Sequence, residues 1–112
     1  MYVYCIQIKG FDLFKVGYSN NVEKRLATLQ TAIPFDLEIV DLIHCQDSDK
    51  ARRIESIIHK YIEEHHYRGE WFKMPIEKIA HVFKKYNPNY PTKDMSRLSN
   101  ALAYSQDLYP RA

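Results

Sequence analysis

An alternation of apolar and polar positions runs through residues 2–9 and predicts a β-strand. One face of this strand carries four apolar or aromatic side chains, those of Tyr2, Tyr4, Ile6 and Ile8. The sequence Gly-Phe-Asp at positions 10–12 predicts a turn, and residues 13–18 predict a second strand that returns beside the first. Because the two strands of a hairpin are neighbours, we expect Tyr4 and Lys15 to lie close together.

A helical spacing of apolar residues replaces the alternation after the hairpin. Asn20, followed by Glu23 three residues later, has the form of a capping box, so we predict that a helix begins at Asn20 and ends near residue 30. Arg25 lies beside the apolar stripe of this helix, where helix meets sheet, although an arginine at such a position is usually a solvated surface residue. The stripe consists of four aliphatic residues, Val22, Leu26, Leu29 and Ile33.

Residues 37–45 are apolar and rich in β-branched side chains, so we predict a third strand that is central in the sheet or covered. A second helix is predicted from residue 47 or 48 to about residue 66, with acidic residues in its first turn. Glu55 and His59 lie one turn apart on one flank of the apolar stripe of this helix. That stripe consists of Ala51, Ile54, Ile58, Tyr61 and Ile62.

The rest of the chain adds short elements to this pattern. A turn at Arg68-Gly69 leads to a short strand or extended segment at residues 70–72. A proline at the first turn favours a helix over residues 76–85. Apolar residues at helical spacing within 95–108 indicate a further helix. We therefore predict an α/β (α+β) domain over residues 1–86, with a three-stranded, mainly antiparallel sheet flanked by helices, and a linker with a C-terminal helical extension over residues 87–112.

The composition fits one folded domain, since 112 residues with a hydrophobic fraction of 46% are enough for a single modest core. The net charge is only +2, so a nucleic-acid-binding surface would have to be local. Cys5 and Cys45 both fall in predicted strands, and we interpret them as reduced core thiols of a cytosolic protein. No apolar stretch is long enough to cross a bilayer, so we expect a soluble, cytoplasmic protein without a membrane partner.

A zinc site is the first alternative to consider, because five potential ligands are close in the sequence. They are His44, Cys45, His59, His65 and His66. Their spacing matches no familiar structural zinc site, and residues adjacent in the chain rarely bind the same ion. We therefore disfavour zinc.

Several short motifs occur in a fixed order along the chain. They are Val3-Tyr4, Lys15-Val16-Gly17, Glu23-Lys24-Arg25-Leu26, Glu55 and Gly69-Glu70-Trp71-Phe72. Together they resemble the GIY-YIG nuclease family, in particular a branch common in phage and bacterial proteins, whereas each motif alone would be weak. Tyr2 stands where that family has glycine, and Lys15 stands where it has its second tyrosine.

The resemblance implies a GIY-YIG type fold and an endonuclease that hydrolyses DNA phosphodiester bonds with Mg²⁺ or Mn²⁺. The setting it implies is the cytoplasm of a bacterial or phage-infected cell. Tyr4 and Lys15 would activate the attacking water in such an enzyme, and Tyr18 would be a further catalytic residue. A lysine can stabilise the phosphorane or act as the base itself when it is desolvated.

The resemblance also assigns residues on the two helices. Arg25 would grip the scissile phosphate, a task that suits the planar donor fork of arginine. Glu55 would hold the metal ion, because Mg²⁺ commonly binds one or two carboxylates and completes its octahedron with waters and substrate phosphate. His59 would hydrogen-bond the leaving oxygen or orient Glu55. Glu70 receives no role.

The two departures from the family pattern, at Tyr2 and Lys15, keep a different class of function open. The chain would then be a catalytically inactive module of the nuclease fold that binds DNA or a protein partner. A third alternative is a domain that only binds protein, which would not be retained on DNA at low salt.

Overall fold

The structure is a computed structural model that describes residues 1–88. Its elements, in chain order, are strand β1 (Tyr2–Ile8), strand β2 (Leu13–Ser19), helix α1 (Val22–Gln30), strand β3 (Leu37–His44), helix α2 (Ser48–Tyr61), a 3₁₀ turn (Glu63–His65), strand β4 (His66–Arg68), strand β5 (Trp71–Lys73) and helix α3 (Ile76–Tyr86). The helix predicted within residues 95–108 lies outside the described part of the chain.

The strands form one five-stranded sheet in the order β3-β1-β2-β5-β4, and every pair in it is antiparallel. The α+β class is therefore confirmed, but the predicted three-stranded sheet is wrong. The segment predicted at residues 70–72 corresponds to β5, but the prediction missed β4 and the pairing of these two strands in the sheet, since each has only three residues. All three residues of β4 are exposed, so this strand lacks the alternation from which strands are recognised in a sequence.

The position of β3 also differs from the prediction. This strand pairs only with β1 and forms an edge of the sheet, whereas we expected it to be central or covered. Its apolar run does not mean burial on both faces, since the Leu42 side chain is 40% exposed. A run of β-branched residues thus indicated a strand but not its place in the sheet.

The sheet separates two apolar cores. The larger one lies between the sheet and helices α2 and α3, and it includes Val3, Phe14, Ile58 and Phe83. The smaller core lies on the face covered by α1, and its buried members are Tyr4, Ile6, Val22 and Leu37. Because side chains alternate along β1 and β2, one set of them faces α2 and α3 and the other set faces α1.

Helices α1 and α2 begin at side-chain caps. The Asn21 side chain accepts a hydrogen bond from the Lys24 backbone N–H at 3.0 Å, so α1 is capped by Asn21 and the predicted capping box at Asn20 is wrong. Helix α2 is capped by Asp47 and ends at Tyr61 instead of near residue 66, because the 3₁₀ turn and β4 follow. None of the helices within residues 1–88 is both long and apolar enough to cross a bilayer.

Candidate functional site

The β1–β2 hairpin places Tyr4 and Lys15 on the same face of the sheet. Tyr4 pairs with Gly17 and Ile6 pairs with Lys15, and directly opposed residues point to the same side. The Tyr4 side chain is only 1% exposed and lies across Gly17. A Cβ atom at position 17 would meet the Tyr4 hydroxyl and lie 2.6 Å from its Cζ. Gly17 is therefore required here by a close approach, and Tyr4 belongs to the smaller core.

Arg25 reaches the buried phenol from α1. Its guanidinium is exposed to solvent and interacts with the Tyr4 hydroxyl. Hydrogen bonding and charge interaction with Tyr4 raise the pKa of the Arg25 guanidinium above its usual value, and the Glu70 carboxylate adds to the effect. The helix and the sheet thus bring the two side chains together, with Tyr4 inside and Arg25 at the surface.

Tyr18 lies on the opposite face from Tyr4. It pairs with Val3 and packs against the larger core, so only part of its side chain is accessible. That part lines an open groove of about 230 Å³ at the end of β2, and Arg25 lines the same groove. The structure therefore brings Tyr18 and Arg25 to one groove, although Tyr18 leaves the sheet on the other side.

The Lys15 amine is held by Glu70. The distance from Lys15 Nζ to Glu70 Oε1 is 2.8 Å, with 12% of the lysine side chain and 48% of the glutamate side chain exposed. The Val16 N–H donates to the Glu70 backbone oxygen at 3.4 Å, which fixes residue 70 beside β2. We assigned no role to Glu70 from the sequence. The predicted turn before it is confirmed, since Gly69 has a φ of 58°, but the pairing of β5 with β2 that brings Glu70 to Lys15 was not predicted.

Glu55 and His59 lie on α2, which packs on the face of the sheet opposite to α1. The nearest nitrogen–oxygen distance between them is 4.0 Å, and their side chains are 14% and 27% exposed. His59 Nε2 donates to the Val16 carbonyl oxygen at 2.8 Å, since a carbonyl can only accept, and a neutral imidazole therefore has Nδ1 as its acceptor. The ring also packs edge-on against Phe72, at 5.0 Å between centroids. Helix α2 is thereby tied to the middle of β2.

The pKa of the Glu55 carboxyl is raised above its usual value. Desolvation by burial is the main cause, the nearby Glu70 carboxylate raises the pKa further, and His59 and Lys15 oppose the shift. Glu55 therefore interacts electrostatically with both members of the Lys15–Glu70 pair. Since Glu70 also acts on Arg25, this glutamate links the Tyr4–Arg25 pair to the Glu55–His59 pair.

Few side chains near Glu55 and His59 could bind a metal ion. Within residues 1–88, no group of three or more His, Cys, Asp or Glu side chains is arranged to hold a metal ion. Glu55 and His59 line an open groove of about 460 Å³, which leaves room for waters and a substrate phosphate. A single desolvated carboxylate of this kind fits Mg²⁺, which completes its coordination with waters and phosphate, better than it fits ions that need several protein ligands.

Comparison with known proteins gives one family and one relative. Residues 1–87 match the T5orf172 domain. The chain is also 30% identical over 74 residues to the putative KilA-N domain-containing protein 315L of Invertebrate iridescent virus 6. The aligned residues cover 66% of this chain and 32% of the viral protein. The chain thus corresponds to about a third of the length of this viral relative. No solved structure matches the chain significantly.

These matches correct the family that the sequence motifs indicated. The family that matches is the T5orf172 domain, so the predicted membership in the GIY-YIG nuclease family is wrong. Each of the motifs that carried the resemblance has only one to four residues. Segments that short are weak even as an ordered set, and a match over residues 1–87 outweighs them.

Proposed function

The chain belongs to the T5orf172 domain family, and from this membership and the site geometry we propose that it is a metal-dependent endonuclease that hydrolyses DNA phosphodiester bonds. T5orf172 and KilA-N domains are DNA-binding or nuclease-like domains, which supports DNA as the partner. The match to a viral protein supports a setting inside an infected cell. The catalytic assignment itself depends on the residues of this chain.

One observation carries the proposal: Glu70 connects five types of chemical group, which the helices on the two faces of the sheet bring to strand β2 and to the turn before β5. The Glu70 carboxylate lies within hydrogen-bonding distance of the Lys15 amine. Its charge raises the pKa of both the Arg25 guanidinium and the Glu55 carboxyl. A phenol and an imidazole complete the set, from Tyr4 beside Arg25 and His59 beside Glu55. Phosphodiester hydrolysis needs an activated water, neutralised phosphate charge and a stabilised leaving oxygen, and this set supplies groups for each task.

The roles follow from the position of each group. Arg25 is the exposed cation and binds the non-bridging oxygens of the scissile phosphate with its planar fork. Water attacks phosphorus and the bond from phosphorus to the leaving oxygen breaks. The deprotonated form of Tyr4 or Lys15 takes the proton of the water, and solvent water returns a proton to the leaving oxygen. Tyr18, at the groove shared with Arg25, contacts the adjoining DNA backbone.

Glu55 is the residue we assign to the metal, and His59 supports it. When bound there, Mg²⁺ or Mn²⁺ supplies charge stabilisation at the phosphate oxygens. The raised pKa of Glu55 means that its ionised form is disfavoured in the free protein, and a cation would compensate that penalty. His59 donates its Nε2–H to the Val16 carbonyl and keeps its ring beside the carboxylate, and a protonated Nδ1 would hydrogen-bond the leaving oxygen.

Two features favour a second candidate function, a DNA-binding module that does not cut. Tyr4 is almost completely buried, so its hydroxyl has little access to a water molecule. The Lys15 amine is already paired with Glu70, so it is not available as a free base. Arg25 would still contact DNA phosphate in such a module.

Nicking of supercoiled plasmid with Mg²⁺, with Mn²⁺ and with EDTA distinguishes the two functions. We expect nicking with either metal and none in EDTA. Arg25→Ala should lower the nicking rate roughly 100-fold or more, as loss of a transition-state donor does, while the fold remains intact because Arg25 is exposed. Arg52→Ala, at another exposed arginine, is the matched control and should nick normally. DNA binding without nicking would favour the second function, and normal nicking by Arg25→Ala would contradict its role.

A further inference from the structure

Two tyrosines form an open aromatic surface at the ends of α2 and α3. Tyr61 and Tyr86 are the last residues of these helices, and their rings meet edge-on with centroids 5.5 Å apart. Tyr61 is 50% exposed, and Ile57, one turn earlier on α2, is 44% exposed. We call Ile57, Tyr61 and Tyr86 the α2–α3 platform. It presents flat aromatic area to solvent outside the site described above.

The charges around this platform are basic. Lys85 Nζ lies 5.0 Å from the centroid of the Tyr61 ring and 5.7 Å from that of the Tyr86 ring. The platform lines a groove of about 360 Å³, and the other residues of this groove are Arg53, Ser56 and Lys60, so it has basic lining residues and no acidic one. Cations beside exposed rings are the combination that binds single-stranded nucleic acid, because phosphates meet the cations while bases stack on the rings.

The platform is continuous with the candidate active site. Ser56 and Lys60 line both the platform groove and the groove that contains Glu55 and His59. From Glu55 to Tyr61 the helix advances about 9 Å, roughly the length of three stacked nucleotides. A strand held at the active site could therefore pass over Lys60 and reach the platform.

Charge also decides between possible occupants. A second copy of the chain in a symmetric contact would place basic residues against basic residues. The chain beyond the described part, residues 89–112, contains three basic and two acidic residues, so it does not complement a basic groove. A polyanion with flat faces does complement it.

We infer that the α2–α3 platform binds the bases of an unpaired DNA strand flanking the scissile phosphate, so that the preferred substrate contains a junction of duplex and single strand. This inference rests on the proposed function for the identity of the ligand. Binding to the platform can nevertheless be measured without cleavage. Tyr61 supplies the accessible ring on which a base stacks, and Lys60 contacts the DNA backbone between the two grooves.

The test compares binding of the full chain, without divalent metal, to a blunt duplex and to the same duplex with a single-stranded overhang. Tyr61→Ala should weaken binding to the overhang substrate roughly tenfold, as expected for loss of one base stack, and change binding to the blunt duplex less than twofold. Tyr61→Phe keeps the ring and should bind both substrates as the wild type does. Tyr67→Ala removes a tyrosine that is 58% exposed on β4 and is the matched control, with no effect expected.

The possible outcomes separate this inference from the proposed function. Overhang binding that depends on Tyr61, in a protein that never nicks DNA, would support the platform and contradict the nuclease. Metal-dependent nicking with equal overhang affinity in wild type and Tyr61→Ala would overturn the platform and leave the nuclease standing. A dimer that dissociates in Tyr61→Ala, without a change in DNA binding, would overturn the inference in favour of a protein interface.

Discussion

Gly17→Ala tests the contact on which the Tyr4–Arg25 pair depends. The added Cβ would meet the Tyr4 hydroxyl and lie 2.6 Å from Cζ, closer than such atoms approach, and it would lie in tight contact with Cε1 at 3.2 Å. Tyr4 is 1% exposed and packed in the smaller core, so its ring cannot simply swing into solvent. Overpacking of a core typically costs about 1–3 kcal/mol. Alanine also restricts the unfolded chain more than glycine does, which stabilises the folded state by about 0.4–1 kcal/mol.

We therefore expect Gly17→Ala to lower the free energy of unfolding by roughly 1–2 kcal/mol, which corresponds to a fall in Tm of about 5–15 °C. Chemical denaturation of wild type, Gly17→Ala, Tyr4→Leu and the double variant measures the coupling between the two positions. In the Tyr4→Leu background the clashing hydroxyl and ring are gone, so the cost of Gly17→Ala should fall by about 1 kcal/mol or more.

Gly10→Ala is the matched control for this experiment. Gly10 has a φ of 86°, and a Cβ added there would have no heavy atom within 4 Å, so alanine adds backbone strain without a clash. Its cost, of order 1 kcal/mol, should be the same in the wild-type and Tyr4→Leu backgrounds. An equal cost of Gly17→Ala in both backgrounds would refute the placement of the Tyr4 ring over Gly17.

Two further variants probe the carboxylates of the site. Glu70→Gln removes the negative charge beside Lys15 and Arg25, so DNA binding at low salt should tighten severalfold. The gain in affinity should shrink at higher salt, because salt screens the charges. An affinity equal to that of the wild type throughout a salt titration would contradict this prediction. Glu55→Gln should abolish nicking and preserve DNA binding. Because the folded-state pKa of Glu55 is raised, its favourable contribution to stability is complete below the unfolded pKa and is lost as pH rises through the folded value. In EDTA, Glu55→Gln should therefore be more stable than wild type at about pH 7 but not below about pH 4, as checked by thermal unfolding.

The parts of the fold that were predicted correctly are those with long periodic patterns. The alternation in β1 and the apolar stripe of α2 each span enough residues to fix the element type, but not the buried face. Val3 and Cys5 are buried on the second face of β1, and Tyr61 of the predicted stripe is 50% exposed. Strand β4 and the pairing of β4 and β5 could not be predicted in this way, because three-residue strands carry almost no period. The cap of α1 was assigned to Asn20 instead of Asn21 because adjacent asparagines offer two possible caps, and the backbone decides between them.

The shortness of β4 and β5 also explains why the contacts of Glu70, the residue that connects the site, could not be predicted from the sequence. Tyr4, Lys15, Arg25, Glu55 and His59 were all named from the chain, and each lies on a long element. The residue that connects them, Glu70, lies in the turn between β4 and β5, and its carboxylate lies 2.8 Å from Lys15 Nζ because β5 pairs with β2. A carboxylate in that place neutralises the cations that a phosphate would otherwise meet, so under the proposed function DNA would have to displace or outcompete Glu70 before Lys15 could act. The activity we propose for this site therefore depends on a contact made by the turn between the two shortest strands of the fold.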